Sequence, residues 1–202
     1  EGHSPIYTAV ANGLFESLET LINVGAGLSQ IQIHADELLG ILVHNRKISM
    51  FCKLLELGIV FQSDSENLKA MITCMNTRQI SVGKAVHVGA FYGNIQILDA
   101  LSQAHEELDK CNHENETPIF IAARAGQYSA VEWLIKQGMT PEPLMIRMDY
   151  LRELVKNEQA DIKERAEIKI KEAMAKNPFI YDVELSPKDI AEIMGYRDIV
   201  TL

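Results

Sequence analysis

Cys111 and His113 stand two residues apart, a spacing that offers a divalent metal one thiolate and one imidazole. A tetrahedral site needs four ligands, and no second Cys/His pair stands near in sequence, so both are expected to be ordinary loop residues. Gly25-Ala26-Gly27 has part of a phosphate-cradling turn, but the third glycine and the preceding strand of that motif are missing. The chain holds no GxxxxGKS, GxxxxGKT, HExxH, GxSxG or paired CxxC spacing, the arrangements that carry nucleotide, zinc, acyl-transfer and thiol chemistry. The three cysteines, Cys52, Cys74 and Cys111, are scattered and odd in number, which suits reduced thiols in a cytosolic protein better than a disulfide framework. The expectation is a chain with no catalytic residues, no cofactor and no metal, which turns over no substrate in isolation.

Composition narrows the partners. The 202 residues are 47% hydrophobic and 23% charged, with a net charge of -9, ordinary values for a globular domain. Residues 143–177 hold 8 of the 19 basic and 7 of the 28 acidic residues, so the remainder carries -10. Such a surface repels phosphate backbones, which excludes general nucleic-acid binding and favours a protein partner with a basic segment. No stretch reads as a membrane span, and no basic-then-apolar leader opens the sequence, so a cytoplasmic location is expected.

The elements that must position these residues can be phased from Thr117 to Gly138, which reads TPIFIAARAGQYSAVEWLIKQG. Thr117 can cap a helix whose first position is Pro118, where a missing N–H costs nothing. Ala122 and Ala123 keep that helix thin, Gly126 turns the chain into a second helix, and Gly138 stops it. This stretch resembles one ankyrin repeat, a unit of about 33 residues signed T-P-L-H-x-A. Steps along the sequence find further copies: Ser4-Pro5-Ile6-Tyr7-Thr8-Ala9 before Gly13, Leu38, Leu39 and Leu42 before Arg46, Val86-His87 and Gly89-Ala90 before Gly93, and Ser186-Pro187 to Ala191 before Gly195.

The hinges at 13, 46, 93, 126 and 195 are separated by 33, 47, 33 and 69 residues. The step of 47 implies an insert helix at about 65–76. The step of 69 implies a missing repeat hinged near residue 159, in the polar break Lys156 to Asp161. Before that break Leu144, Met148, Leu151 and Val155 make an apolar stripe at helical spacing, and after it Ile162, Ala166 and Ile170 make another. Residues 142–176 therefore read as a degenerate, lengthened helical pair that continues the array, with one continuous charged helix as the rival reading. Helices are expected near 5–12, 15–24, 37–45, 48–57, 66–76, 84–91, 95–104, 118–125, 128–137, 142–156, 160–176 and 187–194.

The resemblance implies an all-α ankyrin-repeat solenoid of stacked antiparallel helical pairs with two helical insertions, one domain over 1–202. Its repeats fall at about 1–27, 34–60, 81–107, 114–140 and 183–202. A stack in which each pair touches only its neighbours builds an extended concave surface and no closed pocket, so recognition of a protein partner by a monomer is the expected function. The alternative is the targeting arm of a larger enzyme, or a bacterial effector acting in the host cytoplasm. In this family His87 ties neighbouring loops by hydrogen bonds, a structural role. Partners usually meet loop tips and first-helix positions, which in this phase are His3, His34, Asp36, His44, Ser81, Phe91, His113, Glu114, Glu116 and Arg124. Tyr92 joins Phe91 as the apolar anchor site of that face, and Glu116 is expected outside the core.

Overall fold

The computed structural model describes residues 4–62, 64–76, 83–177 and 179–202. His3 and Ser81 lie outside them. The chain divides into two compact units, Glu1–Glu106 and Glu107–Leu202, and each is a stack of helical pairs.

Local backbone chemistry sets the pairs. Ser4, Thr117 and Ser186 each accept a hydrogen bond from the amide three residues on, and each is followed by proline at the start of its helix. The turn between helices is then made by one left-handed residue, with φ of 69° at Gly13, 55° at Arg46, 64° at Gly93, 72° at Gly126 and 87° at Gly195. A second series closes the second helices at Gly25, Gly58, His105 and Gly138, with φ of 91°, 76°, 54° and 88°. Arg46 shows the strength of the repeat. It adopts a conformation that costs a side-chain-bearing residue about 1–2 kcal/mol because the surrounding pair leaves no other way to turn.

Unit 1 holds α1 (Pro5–Asn12), α2 (Phe15–Asn23), α3 (Ser29–Ile33), α4 (Ala35–His44), α5 (Ile48–Glu56), α6 (Glu66–Asn76), α7 (Ala85–Phe91) and α8 (Ile95–Gln103). The pairs are α1 with α2, α4 with α5, and α7 with α8. α6 is the expected insert helix. It buries Leu68, Met71, Ile72 and Met75, a single apolar stripe, and packs against α4 on one side and against α7 and α8 on the other. The short α3 was not legible as a helix. It buries Ile31 and is braced by Gln32, whose side-chain amide both donates to the carbonyl of Val60 and accepts from its N–H at 2.8 and 2.9 Å. His87 is fully buried, and its Nδ1 accepts the Lys84 N–H at 3.0 Å.

Unit 2 holds α9 (Pro118–Arg124), α10 (Tyr128–Lys136), β1 (Leu144–Arg147), α11 (Met148–Leu154), α12 (Ala160–Lys176), β2 (Asp182–Leu185), α13 (Pro187–Met194) and α14 (Arg197–Val200). Here two sequence expectations are corrected. The helix expected over 142–156 is a strand to Arg147 and a helix only from Met148, because Leu144 and Ile146 pair across an antiparallel ribbon with Leu185 and Val183. The helical pair does not continue the array either. α13 packs directly on α9, and α14 on α10, so the Ser186 repeat stacks on the Thr117 repeat with nothing between them.

The Gly126 hinge shows the same contact at atomic scale, since a Cβ built there would lie 2.7 Å from the Tyr196 ring. Near residue 159 the expected hinge is not made. Gln159 is extended, at φ -63° and ψ 158°, and precedes α12. Residues 148–180 therefore form an insertion carried on the β1–β2 ribbon. α11 and α12 pack on each other, joined by the Arg152–Glu167 pair at 2.8 Å, and α12 packs in turn on β2 and α13.

Candidate functional site

The loop before α9 is shaped by Asn112, whose side-chain oxygen accepts the N–H groups of Glu114 and Glu116 at 2.9 Å. The turn leaves His113 exposed, 3.7 Å from Glu114. It sends Glu116 inward, which overturns the expectation of an exposed contact residue. Glu116 is 1% exposed. Its carboxylate accepts from Arg124 Nε at 3.0 Å, from Arg124 Nη2 at 3.4 Å and from Asn112 Nδ2 at 3.0 Å.

Tyr150 of α11 lies near enough to feel the charge of this pair. Burial and then the Glu116 charge push the Tyr150 hydroxyl far above the usual phenol range, against the opposing pull of Arg124. Glu116 and Arg124 thus form a buried ion pair within the Thr117 repeat, and Tyr150 of the insertion sits in its field. No sequence pattern marked Tyr150.

The candidates of unit 1 fall into separate settings. Asp36 accepts from Ser65 Oγ and, at 3.0 Å, from Asn67 Nδ2, so it anchors the start of α6. His34 lies 3.1 Å from a Glu37 oxygen and meets the Tyr7 ring edge-on at 5.5 Å. Tyr7 donates to the other Glu37 oxygen at 2.8 Å, and its titration is raised by burial and then by that bond. The hydroxyl stays protonated at neutral pH and has no role as a base.

Phe91 and Tyr92 are half-buried and contact each other edge-on at 5.0 Å. Burial, then the Cys52 and Glu56 charges, push Tyr92 up to about 12. Both those residues belong to α5, so the Tyr92 hydroxyl lies within the field of that helix. The Cys52 thiol is itself pushed up to about 11 by burial, which leaves it protonated and inert. His44 is exposed. Phe91 and Tyr92, both partly exposed and in contact, are the apolar members of the candidate set on unit 1.

An apolar surface lies elsewhere, on the insertion. Phe179 and Tyr181 are 86% and 84% exposed, and Met145 and Met174 are 46% and 42% exposed. A groove of about 370 Å³ runs beside them between α12 and β2, with Ala173, Lys176, Ile180, Val183 and Glu184 among its walls. Sequence reasoning missed these residues. The available signal was Phe179-Ile180-Tyr181, an aromatic cluster that fits no repeat position.

The groove floor is fixed by Lys169 of α12, which donates to Asp189 of α13 at 2.8 Å, and Asp189 also accepts from the Ser186 hydroxyl and amide. Burial opposes ionisation of Asp189, but the bonds from Lys169 and Ser186 together bring its carboxyl below the usual value. The bond to Asp189 raises Lys169. A lowered carboxyl contributes stability that is present above the free-aspartate value, about 3.9, and lost as pH falls through its folded value. A raised lysine contributes stability that is complete below its free value, about 10.4, and lost as pH rises through its folded value. The α12–α13 contact is thus expected to hold steadily from about pH 5 to about pH 9. Urea midpoints measured against pH should fall below that window in the wild type, and fall less in Asp189→Asn. Parallel curves would show that the pair contributes nothing.

Among the described residues no group of three or more His, Cys, Asp and Glu side chains converges as a metal site, and no helix is long and apolar enough to cross a membrane. Residues 86–135 match the family model described as ankyrin repeats (many copies). No curated protein matches the chain.

Proposed function

We propose that this chain, whose ankyrin repeats belong to a family of protein-interaction modules, binds a partner protein and turns over no substrate, and that the insertion of unit 2 carries the anchoring contacts. The observation behind this reading is the exposure of Phe179 and Tyr181, at 86% and 84%. Aromatic side chains held in water gain most when a partner desolvates them, which is why they are enriched among interface hot spots. Around the anchor the charge is nearly balanced, 8 basic against 7 acidic over residues 143–177, so partner flanks of mixed charge suit the insertion, while basic flanks suit the acidic remainder of the chain.

The test uses a photo-crosslinking residue placed in turn at Phe179, Phe91 and His44 of the 202-residue chain. The Phe179 position is expected to capture a discrete partner. The double variant Phe179→Ala/Tyr181→Ala should then bind that partner at least about tenfold more weakly. Capture from Phe91 and His44 instead, with the double variant unaffected, would return recognition to the first-helix face.

A further inference from the structure

The β1–β2 ribbon has two edges, and they differ. The Met148 N–H donates to the Tyr181 carbonyl at 3.0 Å in the same register that pairs Ile146 with Val183 and Leu144 with Leu185. In an antiparallel ladder, opposed residues alternate between those that bond each other and those whose backbone groups point away. Residues 148 and 181 bond, so the pairs at 146 and 144 bond as well, while Asp182 and Glu184 turn their N–H and C=O groups outward. These groups make no hydrogen bond among the described residues. The other edge is engaged, since the Met145 carbonyl meets Asn115 Nδ2 at 3.5 Å.

An edge with free donors and acceptors is a template for another strand. The β2 edge borders a groove of mixed lining, with Ala173 and Ile180 beside Glu172 and Lys176 and the Lys169–Asp189 pair at its floor, which would receive every second side chain of such a strand, while Phe179 and Tyr181 stand exposed just before it. We infer that the β2 edge accepts an extended segment of the partner protein as a third strand, with alternate side chains of mixed apolar and charged character seated in the groove beside α12. This rests on the reading of the insertion as the recognition element and adds the form of its ligand. Backbone pairing supplies affinity and the groove supplies selectivity.

The probe is the tightest peptide selected from a displayed library of random linear peptides against the 202-residue chain. Glu184→Pro removes one outward N–H and leaves the ladder to β1 intact, a position where an edge strand tolerates proline. It should weaken the peptide by about tenfold or more relative to Glu184→Ala, which loses the same side chain but keeps the N–H, the difference being the loss of a hydrogen bond plus the ring's obstruction. Should the proline variant melt early, the same question is put to the wild-type chain with peptides N-methylated at alternate residues, which should not bind.

A peptide indifferent to the proline and to N-methylation, yet weakened by Phe179→Ala/Tyr181→Ala, would remove strand addition and keep the aromatic anchor. A selection that enriches nothing, or a peptide indifferent to every change, would remove both.

Discussion

Glu116→Lys is expected to destabilise unit 2 by about 3–5 kcal/mol, the usual result of removing one partner from a buried ion pair. The carboxylate is 1% exposed and accepts two bonds from Arg124. A lysine there would place a second cation beside the guanidinium and leave Asn112 Nδ2 without its acceptor. That loss is a large share of the roughly 5–15 kcal/mol by which domains are stable, so the variant should melt far below the wild type. Glu116→Gln, which keeps an acceptor for Arg124 Nε, should fall between them. If Glu116→Lys unfolds together with the wild type in urea, the carboxylate is not buried as described, and its place among exposed contact residues is restored.

The second large effect concerns the stacking of the last repeat. Gly126→Ala should cost about 2–4 kcal/mol, made of a left-handed penalty of about 1–2 kcal/mol and the overpacking of a Cβ that would stand 2.7 Å from the Tyr196 ring. Gly138 is the control. Its φ is similar, 88° against 72°, but nothing lies within 4 Å of the added carbon, so Gly138→Ala should show the backbone penalty alone. Denaturation midpoints that shift equally for both glycines would mean that Tyr196 does not rest on Gly126, and the direct packing of α13 on α9 would be wrong.

The repeat phase was written in the sequence because the features that carry it are local. A Ser or Thr before Pro caps and starts a helix within one turn, and a left-handed residue ends it, whatever lies elsewhere in the chain. The hinge series 13, 46, 93, 126 and 195 came from spacing alone, and every member has positive φ, Arg46 included. The insert helix was legible for a related reason, since Leu68, Met71, Ile72 and Met75 make one stripe at helical spacing.

What the sequence left open depended on partners far along the chain. Leu144 and Met148 fit a helical stripe with Leu151 and Val155, yet Leu144 lies in a strand because Leu185, 41 positions later, lies opposite it. Only that pairing shows that the intervening helices are carried on a ribbon and form no repeat of their own. Glu116 sits at a position that repeat analogy exposes, and its burial depends on Arg124 and Tyr150 arriving from two other helices. Caps, hinges and helix stops follow from interactions within about one turn and were therefore determined by the sequence read in order. Strand pairing, the burial of a charge and the exposure of Phe179 and Tyr181 are set by which distant surfaces meet, and only the tertiary structure decides that.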